Sequence, residues 1–250
     1  MSAPPTEPIN PIAGFFEPFS ALSHLLGAVV FAVLGFLLVR KAHRAGGHTG
    51  FLLVYVVCTV FLLAMSGVYH MLTEGSTARD VLGRLDHAAI FTLIAGTHTP
   101  VQGMFFRGKA RWVPLALMWT AAITGITMFT IFYGRLPLGL GTAVYLFLGW
   151  MAGVSGIVLW RRLGTHRLRL LLGGGVAYTI GAIIMGIGWP VLIPGVVGSH
   201  ELWHVAVLTA MAMHWRFLYT NAETRCRAPS HDCITQQTME TSEVQYAASA

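Results

Sequence analysis

Charge is what this sequence has least of. Asp, Glu, Lys and Arg together make up 10% of 250 residues, against 55% hydrophobic, whereas a soluble domain carries about a quarter charged residues. So little polar surface cannot coat a water-soluble globule, which excludes that class. Cysteine is also scarce: Cys58, Cys226 and Cys233 are the only three, too few for a disulfide scaffold. Cys58 lies inside an apolar run and reads as a small buried thiol.

The missing charge is unevenly distributed. Seven stretches hold almost none: Phe19–Val39, Phe51–Tyr69, Ala88–Phe106, Trp112–Phe132, Leu140–Trp160, Leu170–Ile193 and Leu202–Tyr219. Each approaches the roughly 20 residues a helix needs to cross a bilayer. In lipid the backbone must satisfy its own hydrogen bonds, so such runs become helices. The expected fold is all-α and integral to the membrane, a bundle of seven transmembrane helices over residues 19–220. Residues 1–18 are Pro-rich and read as an irregular lead-in, and 221–250 as a polar disordered tail. The first apolar run is too long for a cleaved signal peptide and lacks a basic lead. Glycines inside the spans, as in Gly149-x-x-x-Gly153, suggest close helix packing, with a homo-oligomer face as the weaker reading.

The formal charge of +6 does not imply nucleic acid, because the basic residues sit between spans. With loops assigned to alternate sides, one side holds only Arg79, Arg84 and Arg135. The other holds the remaining thirteen of sixteen Lys and Arg, among them Arg40, Lys41, Arg44, Arg107, Lys109 and Arg111. By the positive-inside rule that second side is cytoplasmic, together with the C-terminus. This points to a multi-pass protein with its C-terminus in the cytoplasm.

Ionisable groups at membrane depth are costly and mark functional sites. Here they are Ser66 with His70, Asp86 with His87, and His200, Glu201 and His204. Alternating topology brings the end of the second span and the starts of the third and seventh to one membrane face. His200 and His204, four residues apart, project from one side of a helix and can chelate one ion. The run reads as H-E-x-x-H, a pattern of zinc metalloproteases. His70 would complete a three-histidine zinc site with an open position, the form of a catalytic metal. Asp86 is then the candidate for holding or deprotonating that water, and Ser66 for donating a hydrogen bond to an oxyanion or to Asp86. His24, His87 and Glu201 are candidate supporting groups, Glu201 favouring the helix N-terminus and Ser199 standing as N-cap. His98 lies twelve residues past Asp86, about 18 Å along a helix, too deep for the same ion, and His214 lies toward the opposite membrane face.

The segments SGVYH (Ser66–His70), RLDHAAIFTLIAGTHTP (Arg84–Pro100) and PGVVGSHELWHVAV (Pro194–Val207), with SHLLG at Ser23–Gly27, resemble the hemolysin III family. That family is related to the progestin and adipoQ receptors, which include the adiponectin receptors, and more distantly to alkaline ceramidases. The resemblance implies seven helices around zinc held by His70, His200 and His204, with Asp86 on the water and Ser66 beside it. It implies hydrolysis of a lipid amide or ester in a bacterial inner membrane, with membrane lipid as the partner. Through the adiponectin receptors it also implies a cytoplasmic N-terminus and a zinc near the cytoplasm, the reverse of the charge-based orientation. A sensor of membrane state with a structural zinc, a pore-forming hemolysin and a zincin-like protease using Glu201 are the alternatives.

Overall fold

In the computed structural model, residues 11–12, 14–137 and 139–223 are described. Of the lead-in expected over 1–18, residues 1–10 and 13 lie outside them, and of the tail expected over 221–250, residues 224–250 do, while Asn221 still belongs to the last helix. The chain is helical: α1 (Pro18–Arg44), α2 (Thr49–Met71), α3 (Thr77–Phe105), α4 (Gly108–Ile131), α5 (Leu140–Ile187) and α6 (Ser199–Asn221). Four of these, α1, α2, α4 and α5, are long and apolar enough to cross a membrane. The remaining two, α3 and α6, are long enough but carry Asp86, His87, His98, His200, Glu201, His204 and His214, which lower their hydropathy.

Apolar side chains cover the outside. Leu26, Phe36, Leu117, Phe147 and Val154 are each more than 60% exposed, an arrangement that suits lipid and would be costly in water. Several polar side chains are turned inward: Ser20, His24, Ser66, His70, Gln102 and His204 are buried.

The 48 residues of α5 would extend about 72 Å if straight, more than twice the roughly 30 Å of a hydrocarbon core. They do not run straight. At Gly164 the backbone takes φ 74° and ψ 166°, a region open essentially to glycine. Beyond it the chain doubles back. Trp150 Nε1 donates to Thr179 Oγ1 at 3.2 Å across 29 residues, a separation of about 43 Å in a continuous helix. Leu159 and Leu168, on either side of the bend, pack into one cluster with Val101 and Phe217.

Several expected boundaries shift. Helix α3 starts at Thr77, capped by the Ser76 hydroxyl, which accepts from the Arg79 N–H at 3.2 Å, so Arg79 and Arg84 lie within the helix rather than in a loop. Both have partners there: Arg79 meets Glu17, and Arg84 Nη1 donates to the Thr130 carbonyl at 2.5 Å. The second arm of α5 ends at Ile187, not Ile193, because Gly188 turns left-handed (φ 73°). Ser199 is the first residue of α6 and Gly198 its N-cap.

Helices α3 and α6 run in the same direction. Midway along them Ala89 and Leu93 share a cluster with Val207 and Met211, and near their ends Phe105 lies against Phe217 with ring centroids 5.7 Å apart. Whatever stands at the start of both helices therefore shares one end of the bundle.

Candidate metal centre

At that end three imidazoles meet. His70 comes from the last turn of α2, and His200 and His204 from the first two turns of α6. One ring nitrogen from each lies within 4.8 Å of the others, a set able to hold a metal ion. The ring centroids are 5.0 Å apart for His70 and His200, and 4.8 Å for each other pair. The Nε2 atoms of His200 and His70 approach to 3.5 Å. His70 and His204 are each 2% exposed, so little solvent reaches these nitrogens. His204 Nδ1 is buried without a hydrogen-bond partner.

A second layer of polar groups fixes the first. Glu17 lies just ahead of α1, and its N–H donates to the His70 carbonyl at 3.0 Å while Phe16 N–H donates to that of Met71 at 3.2 Å. This docks the lead-in on the end of α2. One Glu17 carboxylate oxygen then pairs with His70 Nδ1 and the other accepts from Arg79 Nη2 at 2.5 Å. A carboxylate on Nδ1 fixes the tautomer and leaves Nε2 with its lone pair facing the cluster. Burial alone would raise the Glu17 pKa, but the His70 contact and the Arg79 charge outweigh it and bring it down to about 2. Arg79 also donates to the Leu72 carbonyl and stacks over Phe16 and Tyr69.

Of the supporting candidates, His24 stacks flat on His204, with centroids 3.9 Å apart and planes 16° from parallel. Both its nitrogens are buried without partners. Glu201 points away from the histidine face: Oε2 accepts from Gly198 N–H at 2.9 Å and Oε1 from Ser20 Oγ at 3.0 Å. It caps α6 and ties it to α1, with both carboxylate oxygens engaged in these structural bonds. His87 is held by the Gly83 carbonyl at 2.8 Å and packs edge-on against Tyr133. His98 and His214 lie away from the cluster, as their spacing requires.

Ser66, Asp86 and the three histidines all line one cavity of about 1210 Å³, larger than the roughly 300–1,000 Å³ of ordinary small-molecule sites. Ser66 is buried, and the Asp86 side chain is 14% exposed. Among the described residues, the two make no hydrogen bond to each other. The cavity continues past Leu62, Ile90 and Val207 to His98 and His214, from polar cluster to apolar shaft. Gly149 and Gly153 line it too, and a Cβ at Gly149 would meet nothing within 4 Å. These glycines border a void rather than a tight helix contact.

Glu17, Ser20 and Arg79 are absent from the set of residues chosen by spacing. One signal could have found Glu17: it is the sole acidic residue between positions 8 and 73, and it precedes an apolar span at the end of the bundle that holds the histidines.

The chain is similar in sequence to known proteins. The haemolysin-III related family matches residues 15–215, a range that includes every residue of the cluster and its supports. Hemolysin-3 of Bacillus cereus is 33% identical over 199 residues, covering 79% of this chain and 87% of that protein. The hemolysin-3 homolog of Bacillus subtilis strain 168 is 30% identical over 199 residues, covering 78% and 89%. By the extent of these matches, this membrane protein belongs to the haemolysin-III related family.

Proposed function

We propose that the chain is a membrane protein of seven crossings, with the two arms of α5 counted separately, that binds zinc through His70, His200 and His204 and hydrolyses an amide or ester bond of a membrane lipid. The observation that carries this reading is three converging imidazoles at the polar end of a long apolar cavity. Two nitrogens on one tetrahedral zinc, with bonds of about 2.0–2.1 Å, stand about 3.3–3.4 Å apart, and the 3.5 Å between His200 Nε2 and His70 Nε2 fits that spacing. Three neutral nitrogens and no thiolate suit a zinc site that keeps a position open. When bound, the ion supplies Lewis acidity and lets water lose a proton near neutral pH.

The chain's own groups have separable tasks. Glu17 holds the His70 tautomer, and Arg79 keeps Glu17 ionised. The Asp86 carboxylate, on the cavity wall, takes a proton at an oxygen and returns it to the departing nitrogen or oxygen. Ser66 donates a hydrogen bond to the substrate's carbonyl oxygen. The apolar shaft receives an acyl chain and excludes water.

The orientation follows from charge. Arg40, Lys41 and Arg44 close α1 at the end opposite His24, and Arg107 and Lys109 lie beyond the end of α3 opposite Arg79. By the positive-inside rule that end, with the C-terminus, faces the cytoplasm, in a bacterial inner membrane. The metal site then faces outward.

The test is turnover of a mixed lipid extract, including ceramides, by detergent-purified protein. Asp86→Asn is expected to keep its zinc and lose at least about a hundredfold in rate. Unchanged turnover in that variant would remove Asp86 from the chemistry. A wild-type protein that holds zinc but cleaves no lipid would make the metal structural.

A further inference from the structure

Polar side chains are not confined to the metal end. In the other half of the bundle His98, Gln102, Ser155 and His214 are each at most 9% exposed, and they come from α3, the first arm of α5 and α6. His98 lies about 18 Å along α3 from Asp86, and His214 about 15 Å along α6 from His204. Both line the same cavity as the three-histidine cluster.

Their hydrogen-bonding capacity is not used up. His214 Nε2 donates to the Leu171 carbonyl at 3.1 Å, which leaves Nδ1 as an acceptor, and Nδ1 is buried without a partner. Behind the cavity wall Gln102 Nε2 bonds Ser155 Oγ, and of these four side chains it is His98 and His214 that line the cavity. His98 makes no hydrogen bond to any described residue, although it is 95% buried and faces the cavity. A purely apolar chain lying here would leave the His98 imidazole unsatisfied, a costly arrangement in a low-dielectric interior.

We propose that this remote end of the cavity is a second, polar subsite that binds a hydroxyl group carried near the far end of an acyl chain. The inference rests on the lipid reading of the histidine cluster. A hydroxyl both donates and accepts, and so matches a neutral imidazole that offers one N–H and one lone pair. A carboxylate fits less well, since no Lys or Arg lines this part of the cavity to pair with it. A second metal ion does not fit either: among the described residues, the His70, His200 and His204 cluster is the only metal-competent group of three. The preferred substrates are then lipids whose acyl chain is hydroxylated about 18 Å from the bond to be cleaved.

The experiment compares binding of palmitate and ω-hydroxypalmitate to the purified full-length protein, to His98→Leu and to His98→Gln, with the melting temperature of each variant as a control for folding. Wild type is expected to bind the hydroxylated chain roughly tenfold more tightly. His98→Leu should erase that preference, lowering affinity for the hydroxylated chain far more than for palmitate, and His98→Gln should retain part of it. Equal affinity in wild type would overturn the proposal and leave the polar end to bound water. Equal loss of both ligands in a folded His98→Leu would make His98 merely structural. Binding of neither fatty acid would remove the lipid reading and the subsite together. A preference that persists in a protein that cleaves no lipid would keep the subsite and remove only the hydrolase.

Discussion

Each imidazole of the cluster owes its pose to a different neighbour. His70 is held by Glu17, His200 faces His70 across 3.5 Å, and His204 lies flat on His24. The Glu17 contact should matter most for metal affinity, because it fixes a tautomer and raises the basicity of the ligand nitrogen. Glu17→Gln is expected to weaken zinc binding by about 10–100-fold, measured by competition with a chromophoric chelator; an unchanged affinity would show that His70 needs no such support. The histidines themselves could be read from spacing, since four residues on a helix and the parity of the spans decide which side chains meet. Glu17 could not, because it sits in a Pro-rich lead-in with no periodicity, and its role depends on the chain turning back onto the end of α2. Arg79 was hidden for a related reason: an arginine near a span reads as a loop residue until its half-buried carboxylate partner is known.

Among the elements, α5 shows most clearly where hydropathy and geometry part. Two apolar runs separated by Arg161, Arg162, Arg167 and Arg169 predict two spans, and hydropathy alone does not say how tightly the chain turns between them. The bend is made at one residue, Gly164, whose φ of 74° and ψ of 166° only glycine adopts at little cost. Gly164→Val is therefore expected to destabilise the bundle by about 1–3 kcal/mol in a denaturant titration in detergent. Gly50→Ala, where a Cβ meets open space, should change it far less, and equal effects would mean that the bend is set by packing rather than by the backbone of Gly164. The opposite error occurs in α3, which runs further than its apolar stretch. Arg79 and Arg84 can stay helical because Glu17 and the Thr130 carbonyl receive them, and pairings of this kind between distant residues leave no local pattern.

For the molecule as a whole, the cavity is the feature least visible in sequence. It is a space, lined by residues of all six helices. The glycines Gly149 and Gly153 resemble a packing motif in sequence, but they border this space. Filling it should separate binding from metal capture. Gly149→Leu is expected to reduce lipid turnover while zinc content stays at the wild-type level, read by metal analysis and product formation on the same preparation. Full turnover would place the acyl chain elsewhere. The central claim, a metal held by three histidines from two ends of the sequence, is tested most directly by the zinc content of the protein purified without chelators, wild type beside His204→Ala. The account predicts close to one zinc per chain in the wild type and little in the variant. Zinc in neither, or equal zinc in both, would contradict it.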